Sequence, residues 1–189
     1  MKKTLLDYTL KVRVPITIFV VLVTFALTYY IARPERDGIG YQPEQPIKFS
    51  HKLHAGTMGI DCKYCHTGVE KSPQAVIPAA NICMNCHSVA RKDRPEIVKL
   101  RNYYEKKEPI PWKRIHRVPD FTYFNHSVHV NKGIDCANCH GKIENMETVS
   151  QVKSFTMAAC LDCHRNAKTY MPKLTGLNKG PENCFACHR

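Results

Sequence analysis

No cysteine of this 189-residue chain stands outside a Cys-x-x-Cys pair, and acid is scarce, with 16 Asp and Glu against 28 Lys and Arg. With no cysteine left over, there is no odd thiol to explain as a lone reactive group or an intermolecular link. The shortage of acid leaves a formal charge of +12, which would ordinarily suggest nucleic acid or an anionic surface as partner. No recognition-motif signature accompanies the basic residues, which are scattered along the chain, so nucleic-acid binding is set aside.

One stretch has no charge at all. From Val14 to Ala32 the chain reads VPITIFVVLVTFALTYYIA, about 28 Å as a helix and close to the hydrocarbon thickness of a bilayer. The pattern predicts a transmembrane helix over 14–32, with Pro15 near its first turn and Tyr29 and Tyr30 at the interfacial end. A cleaved secretory signal has a similar basic start and apolar middle. This run is longer than a usual signal core and ends in Thr-Tyr-Tyr-Ile-Ala-Arg-Pro, without the small-x-small cleavage pattern. Residues 1–13 are expected in the cytoplasm. Residues 33–48, rich in proline between Pro34 and Pro46, read as a linker leaving the membrane.

The ten cysteines repeat one pattern: Cys62-x-x-Cys65-His66, Cys83-x-x-Cys86-His87, Cys136-x-x-Cys139-His140, Cys160-x-x-Cys163-His164 and Cys184-x-x-Cys187-His188. Two thiols one helical turn apart can add to the two vinyl groups of one haem, and the adjacent histidine then reaches the iron. Zinc ribbons combine such pairs into four-ligand sites, which five pairs cannot fill evenly, and they do not need a histidine after each second cysteine. Disulfides between cysteines so close in sequence are geometrically poor. The expectation is five haem c groups, with His66, His87, His140, His164 and His188 as proximal ligands. Five haems bring about ten propionate charges, which turns most of the basic excess into haem counterions and leaves roughly +2 by formal counting. Covalent haem attachment in bacteria takes place on the extracytoplasmic face. The carboxyl-terminal domain is therefore expected in the periplasm, tethered to the inner membrane by a single pass.

A haem that only passes electrons usually has both axial positions filled. Five further histidines match the number required: His51, His54, His116, His126 and His129. Four of them sit in a repeated frame. Phe49-Ser-His51-Lys-Leu-His54 leads through Gly59-Ile-Asp to Cys62, and Phe124-Asn-His126-Ser-Val-His129 leads through Gly133-Ile-Asp to Cys136, with a one-residue gap between the copies. The duplication predicts a two-haem module over 49–92 and a three-haem module over 124–189. Residues three apart cannot easily bind one iron, so the two histidines of each frame are expected to serve different haems. Met146 and Met157 are the methionines best placed to compete for one distal position, and such a ligand would raise that haem's potential.

The frame Phe-x-His-x-x-His before Cys-x-x-Cys-His resembles the small class III multihaem cytochromes. That resemblance implies His51 as distal ligand at Cys62/Cys65 and His126 at Cys136/Cys139, with the destinations of His54 and His129 open. His116, in Pro111-Trp-Lys-Arg-Ile-His-Arg-Val-Pro-Asp-Phe121, lies between the modules and is free to serve either.

One anchor, five motifs and that connector together resemble the pentahaem subunit of alternative complex III. The resemblance covers nearly the whole chain. It implies electron relay from the quinol-oxidising, iron-sulfur part of a membrane complex to a periplasmic cytochrome, a copper protein or an oxidase. Partners would be an iron-sulfur or molybdopterin-like subunit, polytopic quinol-binding subunits, a monohaem cytochrome or a soluble acceptor. A multihaem reductase would need an open iron, which five spare histidines argue against. A stand-alone quinol dehydrogenase of the tetrahaem type typically has a Met close behind its first motif, where Thr67 and Gly68 stand here.

The remaining fold is expected to be mostly irregular and helical, with few or no strands, because haem faces replace a protein core. An intermodule helix and connector are placed over 93–123. Asp93 and Pro95 open the helix, Ile97, Val98, Leu100 and Tyr104 supply its apolar positions, and it ends before Pro109.

Overall fold

A computed structural model describes residues 5–31 and 38–188, the side chains of Leu5 and Leu6 excepted. Ala32, the last residue of the expected membrane helix, and the first part of the expected linker lie outside the described residues. The chain divides into two units, residues 1–38 and 39–189.

The first unit is helical from Leu5 to Ile31. An α-helical turn, Leu5–Tyr8, passes through wider π-type turns over Thr9–Arg13 into the α-helix Val14–Ile31. The helix thus begins upstream of Val14, and Pro15 stands inside it rather than in its first turn. Proline removes one helical N–H and crowds the carbonyl four residues back, and the widened turns lie on that upstream side. Thr17 and Thr24 donate their hydroxyls to the carbonyls of Arg13 (2.9 Å) and Val20 (2.8 Å), which satisfies the polar atoms within the helix itself. Within the 23-residue helix Thr9–Ile31 an 18-residue window has a mean hydropathy of 2.2, and none of that window is buried. By length and composition this helix is able to cross a membrane.

The second unit contains short helices joined by irregular segments, with no strand among the described residues. Its two copies of the repeat fold alike. The backbone carbonyls of His54 and His129 each accept a bond from an isoleucine N–H beyond a left-handed glycine, Ile60 N–H at 3.0 Å past Gly59 (φ 67°) and Ile134 N–H at 3.2 Å past Gly133 (φ 78°). In each copy the next residue is an aspartate that caps the attachment turn: the Asp61 carboxylate accepts from Lys63 N–H and the Asp135 carboxylate from Ala137 N–H, both at 2.7 Å. The copies differ where the sequences do. Residues His126–Val130 are α-helical, whereas Lys52–Thr57 form π-type turns. A π-turn takes up one extra residue, which accounts for the one-residue gap.

Buried apolar side chains are few. Ile47, Ala80 and Leu100 form one cluster, joined by Met84, Ile97, Tyr103 and Trp112, and Ala167, Met171 and Leu177 form another with Ile134 and Leu174. The first cluster fixes the intermodule helix Pro95–Lys106 against the helix Ala80–His87. Pro95 opens that helix with its fixed φ, and Glu96 in the first turn accepts from the Lys48 N–H at 2.8 Å, tying down the incoming chain. Lys107, at φ 56°, closes it with a left-handed cap.

Leu100 is 4% exposed and central to the first cluster. Leu100→Ala is expected to destabilise the domain by about 2–5 kcal/mol, read as a lowered denaturant midpoint of the assembled protein. An unchanged midpoint would show that this cluster does not hold the module.

Candidate haem sites

Each of the five Cys-x-x-Cys-His segments lies on a short helix or at its end: Cys62–Cys65, Ala80–His87, Ala137–His140, Met157–Arg165 and Cys184–Cys187. Within such a turn, cysteines three apart share a face, and the histidine follows at the helix end. Capping side chains fix where several turns begin, as Thr156 does for Ala159 N–H and Asn183 for Ala186 N–H. All ten thiols are unpaired, and each is exposed or half-buried, as thiols that must react with a bulky partner have to be.

The histidines are held in a uniform way. In seven of the ten, Nδ1 lies 2.7–3.1 Å from a backbone carbonyl: His54 with Ser50, His66 with Val76, His87 with Ala90, His126 with Pro73, His129 with Asn125, His164 with Pro181 and His188 with Phe121. A carbonyl only accepts, so Nδ1 carries the proton and donates it, leaving the Nε2 lone pair free for a metal. The other three histidines, His51, His116 and His140, each have a buried ring nitrogen without a hydrogen-bond partner among the described residues, and at His116 that atom is Nε2. A buried imidazole nitrogen without a partner is unfavourable unless a ligand supplies one.

Burial keeps these rings neutral. It pushes His51 and His116 down to about 4, and His140 to about 3, with His66 adding to the effect at His51 and His116 and His126 adding to it at His140. His129 is lowered for the same reason. Neutral imidazole is the form that binds iron.

Three pairs of rings face each other at nearly one spacing. Ring centres are 6.2 Å apart for His54 and His87, 6.4 Å for His126 and His140, and 6.2 Å for His129 and His164. A metal bound at about 2 Å by two imidazole nitrogens sets the ring centres about 6 Å apart, so these pairs fit a shared iron. Each joins a frame histidine to a motif histidine. The remaining frame histidine, His51, has His66 as its leading electrostatic neighbour. His116 lies edge-on to His140 at 4.3 Å, too close for a metal between them, and both rings adjoin Phe155. Met157 is exposed, and Met146 lies beside Gly141 next to the paired His140. Neither methionine belongs to one of these facing pairs.

Some functional residues were not apparent from the sequence. Phe49 and Phe124 brace the frames, each stacked on the second histidine and edge-on to the first. Their place in the repeat was the available signal. The carbonyls of Pro73, Val76, Ala90, Phe121 and Pro181 had none, because any residue carries a carbonyl. Gly180 packs so closely on His164 that an added Cβ would lie 2.4 Å from the ring.

Residues 47–106 and 122–189 each match the profile of the family described as cytochrome c7 and related cytochrome c. The chain belongs to that family. As a cytochrome c7 relative it is a multihaem c-type cytochrome of electron transfer and carries covalently bound haem. It is also 29% identical to the menaquinone reductase multihaem cytochrome c subunit of Nitratidesulfovibrio vulgaris, over 78% of each chain.

The close approach of Gly180 generates a test of the cytochrome. Gly180→Ala is expected to displace the His164 ring from its bond to Pro181 and turn one haem of the set from low to high spin, read by absorption and electron paramagnetic resonance. An unaltered spectrum would remove Gly180 from the site.

Proposed function

We propose that the chain binds five haem c groups through its five cysteine pairs and serves as the electron-relay subunit of a quinone-linked membrane complex of the alternative complex III type. His66, His87, His140, His164 and His188 are the proximal ligands. The distal ligands are His51 at the first site, His54 at the second, His126 at the third and His129 at the fourth, with His116 as the remaining one and Met146 or Met157 as its alternatives. Bound haem supplies reversible one-electron iron chemistry. The protein fixes the tautomer of seven rings, burial keeps His51, His116, His129 and His140 neutral, and ten histidines would supply two ligands to each of five haems, leaving substrate no place to coordinate. The observation that carries this reading is the repeated spacing of 6.2–6.4 Å between frame and motif histidines.

The apolar helix Thr9–Ile31 supports a single-pass tether, with the amino terminus in the cytoplasm and the haem domain in the periplasm. The modules follow the duplication, two sites over 49–92 and three over 124–189. Electrons would pass from an iron-sulfur or quinol-oxidising subunit to a periplasmic cytochrome, a copper protein or an oxidase. A second reading reverses the direction, towards quinone, and is favoured by the relative's description as a menaquinone reductase subunit.

Isolation in mild detergent tests the assignment. Iron-sulfur and polytopic membrane subunits are expected to accompany the chain, and a homogeneous single-chain particle that oxidises quinol unaided would overturn it. Closed coordination has its own test, since added cyanide, nitrite or carbon monoxide should leave the native haem spectra unchanged. Rapid conversion of one haem to full occupancy would identify a reductase instead.

A further inference from the structure

Contacts between the attachment sites do not follow their order along the chain. Burial pushes the Cys136 thiol of the third site up, and the Cys62 thiol of the first site, close by, adds to it, although the whole second site and the intermodule helix separate them in sequence. The loop after the first motif makes the same junction from the other side. Val76 O holds His66 Nδ1 at 2.9 Å, and three residues earlier Pro73 O accepts from both His126 N–H (3.1 Å) and its Nδ1–H (2.8 Å). Ser127 N–H donates to Ser72 O, and the Asn131 side-chain amide donates to Glu70 O at 3.1 Å. One short loop therefore fixes a proximal histidine of the first site and the frame helix of the third.

The other neighbours extend this junction in both directions. Asn85, inside the second motif, donates its side-chain amide to the hydroxyl of Tyr64, inside the first, at 3.1 Å. Ile134, two residues before the third motif, packs on the same apolar cluster as Cys163 of the fourth, and Pro181 O, three residues before the fifth motif, accepts from His164 Nδ1–H of the fourth at 2.7 Å. Among the described residues of this unit, the two most exposed large apolar side chains are Val89 (75%), two residues past the second motif, and Phe185 (81%), inside the fifth.

From these juxtapositions we propose that the five attachment sites form one unbranched row in the order second, first, third, fourth, fifth, joined at Cys62 and Cys136 and clamped there by residues 70–76. The inference rests on five attached haems. It adds that the two modules meet through their first sites, and that the Cys83/Cys86 and Cys184/Cys187 sites are the ends of the row, where partners exchanging electrons with the chain have to meet it.

The test uses the native, haem-loaded protein. In the fully reduced, diamagnetic state the thioether methyl groups formed at Cys62 and Cys136 should show a mutual nuclear Overhauser cross-peak. A map of the same protein by electron microscopy should give the second-site iron a single iron neighbour, that of the first site. Absence of the Cys62–Cys136 cross-peak, or a third-site iron whose nearest neighbour in the first module belongs to the second site, overturns the order alone. A denatured chain that retains no covalent haem overturns both the order and the reading beneath it.

Discussion

An imidazole can hold iron only if it is neutral, carries its proton on the far nitrogen and keeps its orientation. Much of the carboxyl-terminal unit is arranged to meet that condition. Seven histidines use Nδ1 against a backbone carbonyl, and all seven carbonyls belong to residues outside the helices. Those of Pro73, Val76, Ala90, Phe121 and Pro181 all come from turns and irregular segments. Such segments present their carbonyls to side chains, whereas long helices and strands use most of theirs within the backbone. Val76 illustrates this most plainly. It is a β-branched residue at φ 62°, a conformation such side chains rarely adopt, and its carbonyl is the one that holds His66.

The same condition shapes the packing. Two small apolar clusters are buried among the described residues, and each sits beside a Cys-x-x-Cys turn, with Cys83 in contact with one and Cys163 with the other. Burial of this extent could not by itself hold a domain of this length. The chain relies on the haems it carries for apolar contact and on carbonyl–imidazole bonds for specificity, so cofactor attachment and folding are closely linked. The bonds from residues 70–76 to the frame helix of the other copy make the two repeats mutually dependent.

The sequence made the chemistry of the sites legible more readily than their geometry. The five Cys-x-x-Cys-His segments, the duplicated frame, the intermodule helix opening at Pro95 and the lack of strands could be read from residue types and periods, because each has a side-chain signature. Partner choice could not be read that way. The pairing of His54 with His87 and of His129 with His164 depends on how distant turns meet, and the frames alone left both destinations open. The π-type turns over Lys52–Thr57 showed in the sequence only as a one-residue gap. Pro15 pointed to a helix start, but the apolar run continues its helix upstream past it, since one missing hydrogen bond is too little to stop a long helix.

The spacing of three between frame histidines has a geometric consequence shared by both copies. Three residues along a helix rotate a side chain by about 300°, so the two rings lie about 60° apart on one side of the helix and both stay near the phenylalanine that precedes them. Phe49 meets His51 at 88° and His54 at 28°, and Phe124 meets His126 at 89° and His129 at 27°. One aromatic ring thus meets one imidazole edge-on and stacks on the other, and His54, His126 and His129 each come opposite a different motif histidine. Loss of the phenylalanine would leave each imidazole free to rotate. The duplication has therefore preserved an angle as well as a set of residues, and the frame serves as a bracket that holds two neighbouring sites in a fixed mutual orientation.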